Sequence, residues 1–217
     1  MKLFFGVGTT RPISVATDVR DYLPADKKYH YRDGYSMAEA AKSWVSAGGY
    51  LPHEIAAVVG FNDLDSAHFE YPTSVWGGGI AMTDIMAFVP DGIIAVEAKV
   101  NEHFDDIVSI WIDREAVRNP RSPPHRRTIL QRYADALGAA PAALMDVRYQ
   151  LLQRTLCAAL AARSQQARRA WMVVQSFPSS DDNAQRINRA DFDRFMALVG
   201  EAPAIDGTQV KLAWASA

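Results

Sequence analysis

Cysteine is nearly absent: Cys157 is the only one in 217 residues. No internal disulfide can form, and a reducing, cytoplasmic setting fits best. Cys157 sits in Leu156-Cys157-Ala158-Ala159-Leu160, a helix-interior pattern that predicts a small buried hydrophobe rather than a reactive thiol. No stretch approaches the roughly 18 apolar residues a bilayer span requires, so no membrane association is expected. The opening Met1-Lys2-Leu3-Phe4-Phe5-Gly6-Val7 is too short an apolar run for a signal sequence, and polar Thr9, Thr10 and Arg11 follow it. Excess charge of one sign is also missing. The formal net charge is -2, so any nucleic-acid binding must rest on local patches. His30, His53, His68, His103 and His125 form no i,i+4 pair and no zinc-type spacing. There is no Walker-type loop, nucleophile elbow or dinucleotide fingerprint. Gly77-Gly78-Gly79 lacks a following Lys-Ser/Thr and precedes a strand. Repeats, low-complexity tracts and linker-like stretches are absent too, which favours one domain over residues 1–217.

What is present is an ordinary globular balance, 49% hydrophobic and 22% charged, enough for one substantial core. Ser36-Met37-Ala38-Glu39 predicts a helix start through a capping box, and Gly48-Gly49 predicts its end. A short helix is expected over 52–59, with Pro52 in its first turn. Strands are expected over Thr83–Val89 and Ile93–Val100, joined by Pro90-Asp91-Gly92, where Asp-Gly is a hairpin signal. The Arg- and Pro-rich segment 113–127 reads as a loop. Helices follow over about 128–137 and 142–163, then a strand at 170–177, a helix near 190–199 and a strand near 209–214. This order implies an α/β fold, a mixed sheet flanked by helices with a helical C-terminal extension.

Alternation along a strand puts Glu97 and Lys99 on one face, with Ile94, Val96, Ala98 and Val100 on the other. An Asp91-Gly92 turn would set Asp84 opposite Lys99 and diagonal to Glu97, all on one face. Charges in the middle of apolar strands need partners, because isolated buried charge is very costly. Two carboxylates and a backbone carbonyl, that of Ala98, offer hard oxygen ligands suited to Mg²⁺. A bound cation acidifies water and offsets charge developing on a phosphate. Lys99 can orient that water, help deprotonate it, or neutralise the transition state.

Thr83-Asp84, twelve intervening residues, and Glu97-Ala98-Lys99 together resemble the signature of the PD-(D/E)xK, or restriction-endonuclease-like, nuclease superfamily. The resemblance implies that Asp84 and Glu97 hold Mg²⁺ or Mn²⁺ and that Lys99 assists the water. Thr83 stands where that superfamily often has Pro. The superfamily core of helix, three strands, helix and strand can be laid on residues 36–177. The segments Gly34-Tyr35-Ser36, Gly77-Gly78-Gly79, Val96–Glu102 and Arg148–Thr155 also resemble a family of uncharacterised bacterial proteins assigned to it. The implied activity is metal-dependent cleavage of nucleic acid, DNA ahead of RNA. A homodimer is compatible with the resemblance, although no self-complementary patch is legible. The alternatives are a binding protein that keeps the fold without the chemistry, with the triad as a buried salt-bridge network, and a hydrolase of small phosphoesters.

Further residues carry two readings each. Glu39 is an extra acid near the metal or part of the capping box. Glu102 supports the metal site or is a solvated acid at the strand end. Arg148 falls near the centre of the apolar stripe on a wheel of residues 144–160. There it either needs an acidic or phosphate partner or snorkels past the helix end. Gln150 and Gln153 fall on the opposite side of that wheel. Arg118, Arg121, Arg126, Arg127 and Arg132 contact phosphates or decorate a solvated loop. Lys27-Lys28-Tyr29-His30-Tyr31-Arg32 offers rings for base stacking, or packs onto the domain.

Overall fold

The computed structural model describes residues 2–77, 79–179 and 182–217, with the backbone alone at Asp182. Met1 and Gly78, named above at the chain start and in the glycine run, lie outside the described residues. The elements run β1 (Leu3–Phe5), α1 (Thr17–Tyr22), α2 (Ser36–Ser46), α3 (His53–Val59), β2 (Ser66–Ser74), β3 (Ile80–Val89), β4 (Gly92–Lys99), α4 (Val108–Asp113), α5 (Ser122–Leu137), α6 (Tyr149–Ser164), β5 (Arg169–Ser176), α7 (Asp182–Val199), β6 (Ala204–Ile205) and β7 (Thr208–Ser216). Short 3-10 helices cover Ala25–His30 and Pro141–Leu144. Among the described residues no helix is long and apolar enough to cross a membrane.

The strands form one mixed sheet in the order β1-β2-β3-β4-β5-β7-β6. β2, β3 and β4 are an antiparallel meander, and β5 and β7 add in parallel to β4. Parallel neighbours need crossovers, and helix-bearing segments supply them. One face, carrying Met86, Ile93, Ala95, Met172 and Val174, packs under α4, α5, α6 and α7. The other, carrying Ile85, Ala87, Ile94, Val96 and Val173, packs under α1, α2 and α3. β4 is covered on both sides, and every residue of it is buried. Trp44 of α2 donates its indole N–H to Gln175 of β5 at 3.0 Å, and Gln175 donates onward to Glu54 of α3 at 2.5 Å. That buried network fixes two helices on the second face.

Several expectations change, among them the helix expected over about 142–163, which begins only at Tyr149 after the 3-10 helix at Pro141–Leu144. The strand β2 was not anticipated, because Pro72 lies inside it. β1 pairs with β2 only from Ala67 to Phe69, so beyond Phe69 that side of β2 is an edge, where proline is tolerated. The segment 113–127 is not all loop: α5 begins at Ser122, since prolines fit the first turn of a helix. The hairpin turn is Pro90-Asp91, not Asp91-Gly92, because Val89 pairs with Gly92. Asp91 takes the left-handed conformation, φ 60°, which Asp tolerates, after a proline preset for the position before it.

Gly92 serves packing instead. A Cβ there would sit 2.8 Å from the Trp171 ring and 3.0 Å from Val89. Gly92→Ala is therefore expected to destabilise the chain by about 1–3 kcal/mol through overpacking. Urea denaturation measures this; a loss below about 0.5 kcal/mol, the range of neutral surface changes, contradicts it.

Candidate active site

The corrected turn moves the hairpin register by two residues, which leaves every side chain on its predicted face. Ile85 pairs with Val96, so Asp84 stands directly opposite Glu97 and not Lys99. Asp84 takes over the end of the ladder: its Oδ2 accepts the backbone N–H of Ala98 at 2.9 Å. Asp84, Glu97 and Lys99 all face α6. They lie on the wall of one cavity of about 440 Å³, with Glu70, Ala98, Glu102 and Gln150 among its other linings.

Glu97 is the most engaged group. Its Oε1 lies 2.8 Å from Lys99 Nζ and accepts Gln150 Nε2 at 2.5 Å. Its Oε2 accepts Arg154 Nε at 2.5 Å. Gln150 Oε1 in turn accepts Lys99 Nζ at 3.1 Å. Burial alone would raise the Glu97 carboxyl, but Lys99 and Arg154 outweigh it and hold it below the usual range. Asp84 has less support. Its Oδ1 lies 3.9 Å from Arg154 Nη2 and accepts no hydrogen bond among the described residues. Burial first, then repulsion from Glu97, pushes its carboxyl up to about 7, against the pull of Arg154 and Lys99. Arg154 Nη1 is buried with no partner among the described residues.

Three members of this cluster were not singled out from the sequence. Arg154 and Gln150 are one helical turn apart on α6, so they share a face. The wheel of residues 144–160 misplaced Gln150 because α6 is buried nearly all round (Leu151, Leu152, Arg154, Leu156, Cys157 and Ala158 among others), so one apolar stripe does not mark the face that meets β4. The buried apolar neighbours of Arg154 along the helix (Leu151, Leu152, Leu156 and Ala158) were the available signal that a guanidinium there needs acids. Glu70 is the third. Phe69 pairs with Ile85 and Tyr71 with Thr83, so Glu70 stands opposite Asp84 on the strand's other side. Its φ of 50° takes it out of the ladder. Burial raises its carboxyl, opposed by Lys27 and Arg154.

The supporting residues divide. Glu102 lines the cavity and accepts the backbone N–H and the hydroxyl of Ser36, both at 3.0 Å, and the N–H of Val100 at 3.1 Å. It thus caps α2 from a distant part of the chain. Ser36 is the first helical residue and makes no capping box. Glu39 accepts the Gly34 N–H at 2.9 Å and pairs with Lys42, away from the cavity lining. Arg148 is the residue before α6, not a core-facing helical position. Its extended backbone carries the guanidinium to Asp191 of α7 at 2.7 Å. None of Arg118, Arg121, Arg126, Arg127 and Arg132 lines the cavity. Arg126 packs over Trp111 and donates to its carbonyl, Arg132 lies over Trp76, Arg127 pairs with Asp113, and Arg118 and Arg121 are exposed. Lys27 and His30 do line the cavity.

These features define a mixed α/β protein with an acid–lysine–arginine cluster at the floor of an open cavity. The chain belongs to the family described as a domain of unknown function, DUF6946, whose model matches residues 12–216. No curated protein and no solved structure matches it.

Arg154→Met leaves the buried Glu97 and half-buried Asp84 carboxylates facing each other without their shared cation and is expected to cost about 3–5 kcal/mol in chemical denaturation; a cost under about 1 kcal/mol contradicts the pairing. Asp84 gives a pH signature in metal-free protein. Its folded carboxyl lies near 7, above the ordinary 3.8, so its contribution to stability is full below pH 3.8 and is lost as pH rises to 7. Asp84→Asn is expected to stabilise the protein at pH 8 by about 1–3 kcal/mol, the gain vanishing towards pH 4. An equal effect at both pH values contradicts this.

Proposed function

We propose that the chain is a metal-dependent nuclease that hydrolyses phosphodiester bonds, DNA ahead of RNA, in a reducing cytoplasmic setting. Asp84 and Glu97 hold Mg²⁺ or Mn²⁺, and Lys99 manages the attacking water. The observation that carries the reading is the meeting of Asp84, Glu97 and Lys99 from adjacent strands on one cavity wall.

The residues fit a hard divalent cation. Asp84 Oδ1 is free to coordinate, and mutual repulsion of the two carboxylates is the kind of strain a cation relieves. Among the described residues no group of three His, Cys, Asp or Glu is placed to hold a metal. Two carboxylates and the Ala98 carbonyl suit Mg²⁺, which keeps several of its waters. When bound, such an ion lowers the pKa of water and offsets charge on the phosphate. Lys99 is held by Glu97 and Gln150 and lies 5.2 Å from the centre of the Phe104 ring. A side chain so restrained keeps its donors aimed where charge develops. The resemblance to the PD-(D/E)xK pattern assigns the same roles. Residues 36–177 run α2, α3, β2, β3, β4, α4, α5, α6, β5, a helix, three-strand, helix and strand sequence with added helices, which supports the core that the resemblance implies.

One observation favours a second reading. Both oxygens of Glu97 already have partners in Lys99, Gln150 and Arg154, as a purely structural ion network would require. A non-catalytic protein that keeps this network is the competing account.

The nuclease reading predicts that the purified chain cleaves DNA with Mg²⁺ or Mn²⁺ and that EDTA abolishes cleavage. Asp84→Asn and Lys99→Met are each expected to lower the rate by about 100-fold or more. Calorimetric titration with Mn²⁺ should give heat with the native chain and none with Asp84→Asn. Absent heats in both, with intact DNA, favour the structural network. Turnover of nucleotides alone, with plasmid and oligonucleotides intact, favours a small-phosphoester hydrolase.

A further inference from the structure

We infer that the mouth of this cavity is built for an unpaired nucleic-acid strand rather than an intact duplex; the inference rests on the nucleic-acid reading of the site. Depth is the first ground. The side chains of Glu97 and Lys99 retain only 2% and 8% of their exposure, and Asp84 retains 28%. A phosphodiester has to come down to them. In a duplex the phosphate is backed by base pairs and follows a stiff helix. An unpaired strand can bend its backbone inward while its bases go elsewhere.

The rim offers those bases a surface. Lys27, His30 and Tyr35 line the cavity. Tyr29 lies against His30, ring centres 3.9 Å apart and planes tilted by 35°, and remains 57% exposed. Tyr35 is 40% exposed, with the Arg32 guanidinium 5.8 Å from its ring centre. Neither tyrosine is covered by the core. Tyr31, between them in sequence, is the ring that packs inward, and its hydroxyl bonds to the Ala16 carbonyl at 2.7 Å.

Charge points the same way. Residues 25–32 carry Lys27, Lys28 and Arg32 against one acid, Asp26. The next acid, Asp33, is engaged by Lys42 at 2.8 Å. The rim therefore presents cations beside open rings, and the floor holds the carboxylates. Cations that track a backbone, combined with aromatic faces for successive bases, are the recognised means of gripping single strands, because every base has a stackable face. A basic patch alone would take duplex equally well; open rings beside a deep cavity add the preference for unpaired bases.

The test is fluorescence anisotropy with the full chain and Ca²⁺ in place of Mg²⁺. The probes are labelled single-stranded DNA, RNA of the same sequence, and the blunt DNA duplex. An unpaired strand is expected to bind at least about tenfold tighter than duplex, with the DNA and RNA arms identifying its sugar. Tyr29→Ala and Tyr35→Ala should each weaken that binding roughly five- to 100-fold, with little change for duplex. Tyr29→Phe and Tyr35→Phe, which keep the ring, should retain it. Duplex binding as tight as single strand, or alanine variants with unchanged single-strand affinity, overturns the inference. Absence of binding to every probe overturns both it and the nuclease reading. Single-strand selectivity without cleavage in Mg²⁺ or Mn²⁺ leaves the inference standing and removes the nuclease reading. Cleavage of duplex without single-strand preference does the reverse.

Discussion

Two carboxylates, Asp84 and Glu97, oppose each other across adjacent strands in the middle of a covered sheet, and the surrounding structure answers that repulsion. An unpaired buried charge costs several kcal/mol even after relaxation. Lys99 from the same strand and Arg154 from α6 supply the opposite sign. Gln150 joins the two ends by giving to Glu97 and accepting from Lys99. α6 is thus more than a hydrophobic cover: its buried face is apolar at Leu151, Leu152 and Leu156 and ionic where it meets β4. Shielding is uneven. Glu97 is held charged, while burial and repulsion from Glu97 push the Asp84 carboxyl up to about 7, and its Oδ1 accepts no hydrogen bond among the described residues.

The cavity above this floor exists because its walls come from separate parts of the chain and are tied together. Glu102, just past β4, holds the first turn of α2 through Ser36, and so brings the helix to the strand end. The 3-10 helix of Ala25–His30 contributes Lys27 and His30 to the lining. Glu70 enters from β2 only because its backbone leaves the ladder at a left-handed φ. Such strained residues cluster at functional sites, where surrounding structure holds them.

Much of the site was legible in the sequence, because alternation along a strand survives an error in the turn. Moving the turn from Asp91-Gly92 to Pro90-Asp91 shifts the partner of Asp84 from Lys99 to Glu97 but changes no face. What decided the turn was tertiary: Gly92 is needed against Trp171, a contact no local pattern contains. Arg154, Gln150 and Glu70 escaped for related reasons. α6 is buried on most of its circumference, so its apolar residues do not single out the face that carries Gln150 and Arg154 to β4. Pro72 concealed β2, and with it the register that brings Glu70 beside Asp84. Arg148 does find an acid, Asp191 of α7, but from the position before the helix; the cation that meets the site carboxylates lies six residues further on, at Arg154.

The most direct measurement is a crystal of the native chain soaked in Mn²⁺ and read by anomalous scattering. The account predicts a single strong peak bridging the carboxylates of Asp84 and Glu97, with Arg154 drawn back from Asp84. A map with no peak there, and with Glu97 still bound to Arg154, Lys99 and Gln150, would contradict it and leave the cluster as a structural ion network.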